Sequence, residues 1–275
     1  MTDQIDKTKI FRDLHSGSEC FVIPNPWDAG TARVLTALGF KALATTSAGL
    51  AYTLGRHDAQ ALVSREEAMA NVRQIVEATD LPVSADMENG YGPDTETVAE
   101  TISIAWDIGL VGGSIEDTTG DPDDPLLSLP VAAERIVAAA EAARRLPGPF
   151  TLTARAENYL YGQTDLKDTI SRLRIYQQAG ANVLYAPGLR NPYDIATLVR
   201  EVDLPVNVIM GMPGVNLTVR DLEKIGVRRI SVGSALNRAA WGTMLRGARE
   251  ILEQGTFTFG ADAASFSELD GFFKV

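Results

Sequence analysis

A chain of 275 residues that is 45% hydrophobic can bury a large core, enough for one α/β barrel or two smaller domains. Its 25 Lys and Arg against 36 Asp and Glu give a net charge of -11 with no basic cluster, which removes the attraction that nucleic acid or an anionic membrane surface requires. No segment reaches the ~20 apolar residues of a membrane span, the start MTDQIDKTKI lacks a signal peptide's apolar stretch, and the single Cys20 permits neither an intrachain disulfide nor a cysteine metal cluster, so the expectation is a cytoplasmic protein.

A helical lead-in over residues 3–15 is followed by short β-rich runs alternating with longer helical patterns. The strand candidates are 20–23, 42–45, 82–86, 113–116, 150–154, 182–185, 206–209 and 229–232. Ser64-Arg65-Glu66-Glu67 is a capping box that opens a helix, while Gly180 and Gly226 close two others. Eight strands alternating with eight helices predict an α/β fold, a single (β/α)8 TIM-type barrel over residues 1–275. No linker divides the chain, and Pro24-Asn25-Pro26-Trp27-Asp28 is unlike the glycine fingerprint of a doubly wound dinucleotide fold.

In a barrel the site is built from the C-terminal strand ends. The second strand runs into Thr45-Thr46-Ser47-Ala48-Gly49, either a tight turn or a nest of amides for a carboxylate. The third delivers Asp86 and Glu88, two residues apart on one face, where their charges repel unless a cation lies between them. The fourth ends in Glu116-Asp117. Three hard oxygen ligands, Asp86, Glu88 and Glu116, suit Mg2+ or Mn2+, and two histidines with one cysteine nearly exclude a zinc site of the usual kind. The fifth strand aims Arg155 into the mouth, either as a clamp for a substrate carboxylate or as an ion pair with Glu157 or Glu116. On the seventh, Asn207 is a polar group among apolar ones that could orient a ligand oxygen or satisfy backbone groups.

These strand ends resemble the isocitrate lyase/phosphoenolpyruvate mutase superfamily. The likeness runs through Pro24-Asn25-Pro26-Trp27-Asp28, Thr45-Thr46-Ser47-Ala48-Gly49, Asp86-Met87-Glu88-Asn89-Gly90-Tyr91-Gly92, Ile115-Glu116-Asp117, Ala154-Arg155-Ala156-Glu157 and Ser231-Val232-Gly233-Ser234-Ala235. It implies a Mg2+-dependent carbon-carbon lyase with the ion near Asp86, Glu88 and Glu116 and with catalytic roles for Arg155, Asp58 and Glu116. A small anionic 2-oxo or dicarboxylic acid would be held by Trp27, Ser47, Ala48, Gly49, Arg155 and Asn207. It further implies a homotetramer, a dimer of dimers, in which a C-terminal helical extension, about residues 255–275, is exchanged between subunits. The aromatic tail with Phe257, Phe259, Phe266, Phe272 and Phe273 fits such docking, as it fits packing on its own barrel.

Two departures bear on the reaction. Relatives that cleave isocitrate or methylisocitrate carry a K-[K/R]-C-G-H loop after the fourth strand, whereas this chain has Thr118-Thr119-Gly120-Asp121-Pro122-Asp123-Asp124-Pro125, a solvated connection or a lid. Cys20 precedes the first strand and belongs at the opposite end of the barrel. The three aspartates of that loop disfavour an anionic phosphoryl group, and Glu88 stands where many relatives have aspartate. The preferred expectation is an oxaloacetate decarboxylase-like reaction through an enolate. The alternatives are phosphonopyruvate hydrolase or mutase-type P-C chemistry, methylisocitrate lyase-like cleavage with a non-cysteine acid, and a catalytically quiet 2-oxo acid binder. Tyr161 and His57 are the proton-donor candidates.

Overall fold

The computed structural model describes residues 3–58 and 62–273. Eight parallel strands form one sheet: β1 (Phe21–Ile23), β2 (Leu43–Ala44), β3 (Val83–Asp86), β4 (Gly112–Glu116), β5 (Thr151–Arg155), β6 (Val183–Tyr185), β7 (Val206–Ile209) and β8 (Arg229–Ser231). From β2 to β8 each strand pairs with its sequence neighbour, β1 pairs with β8, and the Ala44 amide donates to the Pro24 carbonyl at 3.0 Å across the seam between β1 and β2, so the sheet closes into a barrel. The helices are α1 (Gln4–Ser16), α2 (Ala29–Ala37), α3 (Ser47–Thr53), α4 (Arg65–Glu77), α5 (Thr95–Ile108), α6 (Leu129–Arg144), α7 (Leu166–Ala179), α8 (Pro192–Glu201), α9 (Val219–Lys224), α10 (Ala235–Gln254) and α11 (Phe266–Phe272).

The sequence-based arithmetic of eight and eight holds for the strands but undercounts the helices. Helix α1 precedes the barrel, α3 is inserted after β2, and α11 follows the barrel's last helix, with a short 3-10 turn at Thr258–Asp262 between α10 and α11. The most consequential difference lies at 45–49. Ser47 opens α3 instead of lying in a turn, because the Thr46 side chain caps the helix by accepting from the Gly49 amide at 3.2 Å. The Ser64 capping box and the left-handed Gly180 cap form as the sequence predicts.

The main hydrophobic core lies between the strands and the helices. Ile115, Leu152, Leu184, Ile102 and Leu173 are fully buried there, each contributing roughly 1.5–3 kcal/mol relative to exposure. Side chains of the alternate parity enter the lumen. Register then decides the site. Asp86 is paired with Ser114 and Glu116 with Arg155, so the acids of β3 and β4 and the guanidinium of β5 finish at one rim.

Candidate active site at the C-terminal rim

Asp86 receives more bonds than a solvated carboxylate would. Its Oδ1 stands 2.7 Å from Arg155 Nη1, and its Oδ2 accepts from the Ser47 hydroxyl at 2.8 Å and the Ser47 amide at 3.3 Å. Arg155 Nη2 meets Glu116 Oε2 at 2.9 Å, and its Nε donates to Glu157 Oε1 at 2.8 Å. Glu116 Oε1 also accepts from the Thr118 hydroxyl at 2.8 Å. The Tyr185 ring lies under the guanidinium, 5.3 Å from its carbon, a further cation-π stabilisation. Of the two sequence readings of Arg155, this is the ion pair, extended to a third acid.

After β3 the chain turns sharply without leaving β4. Glu88 adopts φ 47° and Tyr91 φ 64°, left-handed values costing about 1–2 kcal/mol for such residues, while the Glu116 amide donates to the Glu88 carbonyl at 2.9 Å. Gly90 is required at φ 91° because a Cβ there would sit 2.8 Å from a Val98 methyl carbon. Arg135, buried on α6, holds the turn by donating to the carbonyls of Asn89, Gly92 (2.6 Å) and Pro93 (2.9 Å). Glu88 is thereby kept half-buried, and desolvation, with repulsion from Asp86, Glu116 and Asp58, pushes its carboxyl up to about 8. Burial likewise raises Glu157 to about 8 despite Arg155.

Among the described residues Asp58, Asp86, Glu88, Glu116 and Glu157 thus share one rim with a single guanidinium lodged among them, that of Arg155. An all-oxygen acid set in such excess fits a hard dication. Among the described residues no three acids converge at metal-ligand spacing, because Asp86 and Glu116 both turn toward Arg155. Mg2+ needs no such convergence, since it takes one or two carboxylates directly and keeps several waters. A cavity of about 210 Å³ opens beside these groups, lined among others by Ser47, Ala48, Asp58, Asp86, Arg155 and Asn207.

The family model for phosphoenolpyruvate phosphomutase matches residues 11–252. The chain belongs to that family. It is an enzyme of the isocitrate lyase/phosphoenolpyruvate mutase superfamily, with relatives named as lyases and decarboxylases. A structure from Burkholderia cenocepacia J2315, provisionally called a lyase/mutase, is 51% identical and superimposes with TM-score 0.95, covering 99% of this chain and 97% of that one. An oxaloacetate decarboxylase of Chromohalobacter salexigens is 30% identical over 86% of this chain and 82% of its own. Oxaloacetate acetylhydrolase, solved with its product oxalate, is 26% identical with TM-score 0.87 over 98% and 94%.

The remaining predicted residues of this phosphomutase-family chain fall in different places. Gly49 has its amide engaged by Thr46, and its Cα packs so closely that a Cβ would lie 3.2 Å from the Trp27 Cβ; Trp27 therefore supports α3 from behind. Asn207 does line the cavity, but both ends of its amide are committed internally: Nδ2 donates to Ser231 Oγ and Oδ1 accepts from Arg229 Nε, each at 2.9 Å. Cys20 lies before β1, where burial and Glu223 push its thiol up to about 11. Of the two proton-donor candidates, Tyr161 feels Glu116, Glu157 and Asp58, which with desolvation raise its hydroxyl to about 12, whereas His57 is exposed beside Trp241. The acidic loop is a small hairpin, with Thr118 bridged to Leu126 and the Thr119 hydroxyl donating to the Asp124 carbonyl at 2.6 Å.

Sequence reasoning passed over the support of this rim. Asp117 is buried and accepts from the Glu157 amide (2.8 Å), Arg172 Nη1 (2.9 Å) and the Tyr176 hydroxyl (2.6 Å). Arg172 and Tyr176 are four apart on α7, a spacing that puts both on one helix face and was visible in the sequence.

Proposed function

We propose that this enzyme is a Mg2+-dependent lyase or decarboxylase acting on a small 2-oxo or hydroxy dicarboxylic acid, with oxaloacetate the first candidate. The observation that carries the reading is the surplus of carboxyl groups over guanidinium at the rim of a cavity of this size. Kinship with an oxaloacetate decarboxylase and with oxaloacetate acetylhydrolase supports this substrate class.

Asp86, Glu88 and Glu116 would hold the dication, directly or through water, with Mn2+ an acceptable substitute. When bound, the ion supplies positive charge for the enolate oxygen that develops as a bond to a 2-oxo acid breaks. Arg155 keeps Asp86 and Glu116 apart at fixed separation, so they do not have to reorganise during turnover. Asp58 adds negative potential that favours the cation. Ser47 holds Asp86 and, with Ala48, walls the substrate cavity. Tyr161 retains its proton at neutral pH and is positioned electrostatically near the acids, so it is the proton source this reading favours over His57.

A thiol acid is not part of this reading, because Cys20 lies before β1, at the other end of the strands. The chain is expected to form a homotetramer. Leu252, Phe257 and Phe266 are 85%, 69% and 90% exposed, which supports a face that meets a second copy, although α11 also packs against α2 of its own barrel. Among the described residues no helix is long and apolar enough to cross a membrane.

The test is turnover of oxaloacetate, isocitrate, methylisocitrate, dimethylmalate and phosphonopyruvate with Mg2+. Metal-dependent loss of oxaloacetate is expected. Turnover of phosphonopyruvate alone would move the chemistry to a P-C bond. Metal-dependent binding without turnover of any substrate would make the chain a 2-oxo acid binder.

A further inference from the structure

Among the described residues Arg229 is a cation inside the barrel with no carboxylate beside it. It is 5% exposed, and its donors go to neutral acceptors: Nε to Asn207 Oδ1 at 2.9 Å, Nη2 to Thr153 Oγ1 at 3.0 Å, and Nη1 to His15 Nε2 at 3.3 Å. His15 stays neutral, since burial and the guanidinium hold its ring down at about 3. Among the described residues no carboxylate lies within ion-pair distance of Arg229, whereas Arg155 meets three. A buried guanidinium left unpaired costs several kcal/mol, so buried charges in proteins are normally paired.

The same cavity that begins at Asp86 and Arg155 reaches this group. Barrel lumens are normally filled by branched side chains, but here Ala44, Ser84, Ser114 and Ser231 line the shaft and leave it open down to Arg229. A carboxylate entering at the rim meets an arginine already neutralised by Asp86, Glu116 and Glu157. Deeper in the cavity it meets one that is not.

We infer that Arg229 forms the anion-holding floor of the cavity and takes the distal carboxylate of a dicarboxylic substrate, with Asn207, itself held by Ser231, fixing the guanidinium through Nε. This rests on the reading of the rim as a metal-assisted 2-oxo acid site, and it adds a determinant of substrate class: two carboxylates instead of one. A guanidinium has five N–H groups and the bonds to Asn207, Thr153 and His15 use three, so donors remain for an incoming carboxylate. The inference also gives the uncompensated charge a purpose, because binding supplies the missing counter-ion.

The experiment is calorimetric titration, with Mg2+ present, of pyruvate and of 3,3-difluorooxaloacetate, which share the 2-oxo acid end and differ in the second carboxylate and the two fluorines beside it. Wild type should prefer the dicarboxylate by at least about tenfold, the lower end of what a desolvated charge pair provides. Asn207→Asp, isosteric and placing a carboxylate 2.9 Å from Nε, should pair Arg229 internally. It should bring the preference near one, chiefly by weakening the dicarboxylate, and Arg229→Gln should do the same. A preference that persists in Asn207→Asp, or an equal weakening of both ligands, overturns the inference and leaves Arg229 a structural tie. Equal affinity of the two ligands in wild type overturns it while the rim reading stands. Binding of neither ligand removes the rim reading and this inference with it. Thermal melting of each variant establishes that it folds, and Asn207→Asp decides the matter if Arg229→Gln does not.

Discussion

Arg155 Nη1 stands 2.7 Å from Asp86 Oδ1, so the end of β5 is tied to the end of β3 across the intervening β4, whose Glu116 takes the same guanidinium at 2.9 Å. Removing one partner from such a buried set leaves uncompensated charge, which costs roughly 3–5 kcal/mol. Arg155→Met should therefore lose that much stability in chelator and recover part of it when Mg2+ is added, because a dication can take over the acids. Chemical denaturation with and without metal checks this. Stability equal to wild type in chelator would show that the acids do not depend on Arg155.

The buried carboxylate of Asp117 serves three donors on two elements. Asp117→Asn keeps the shape but loses the charge that pairs with Arg172 and one acceptor position. A destabilisation of about 2–4 kcal/mol is expected. Because the Glu157 amide is among the donors, turnover should fall beyond what lost folding explains. Denaturation and steady-state kinetics on the folded fraction measure the two effects separately.

Burial, with repulsion from Asp86, Glu116 and Asp58, pushes the Glu88 carboxyl up to about 8, above its unfolded value near 4.3. Between those values the folded state binds the extra proton, so this group's contribution to stability is fully present below the unfolded value and is lost as pH rises through about 8. A dication must displace that proton. Metal affinity should accordingly rise with pH from 6 to about 8 and then level off, and Glu88→Gln should flatten the profile. Metal titrations across that range, in wild type and variant, are the check.

His15 carries the opposite sign. Its folded value, about 3, lies below the unfolded 6.5, so the contribution is present above 6.5 and declines as pH falls toward 3, with a slope approaching about 1.4 kcal/mol per pH unit. The neutral ring accepts from Arg229 and is held by the Phe11 carbonyl at 2.8 Å. His15→Gln should lose stability at pH 7 yet show a shallower decline between pH 6 and 4, read by denaturant midpoints.

Much of this was legible in the sequence, since a barrel concentrates chemistry where apolar runs end. Asp86, Glu116 and Arg155 are the last residues of β3, β4 and β5 and needed only the register to meet. The supporting residues were hidden by distance along the chain: Arg135 reaches the turn 46 residues away, and Tyr176 reaches Asp117 from 59. Helix α3 was masked by small residues that read equally well as a turn. Arg229 was within reach, because a period of two puts it on the lumen face with Ser231 and turns Arg228 outward, but nothing local distinguishes the two arginines without the strand's phase. The short reach of Asp86 and Glu116 toward Arg155 instead of toward a common point was not legible at all, as it depends on side-chain angles.

A dication at the acid-rich rim is tested most directly by crystals grown with Mn2+ and measured at the manganese absorption edge. An anomalous peak within about 2.3 Å of an oxygen of Asp86, Glu88 or Glu116, or one water away from them, is the predicted result. A rim free of anomalous signal at saturating Mn2+, with Asp86 and Glu116 still bound to Arg155, would contradict it.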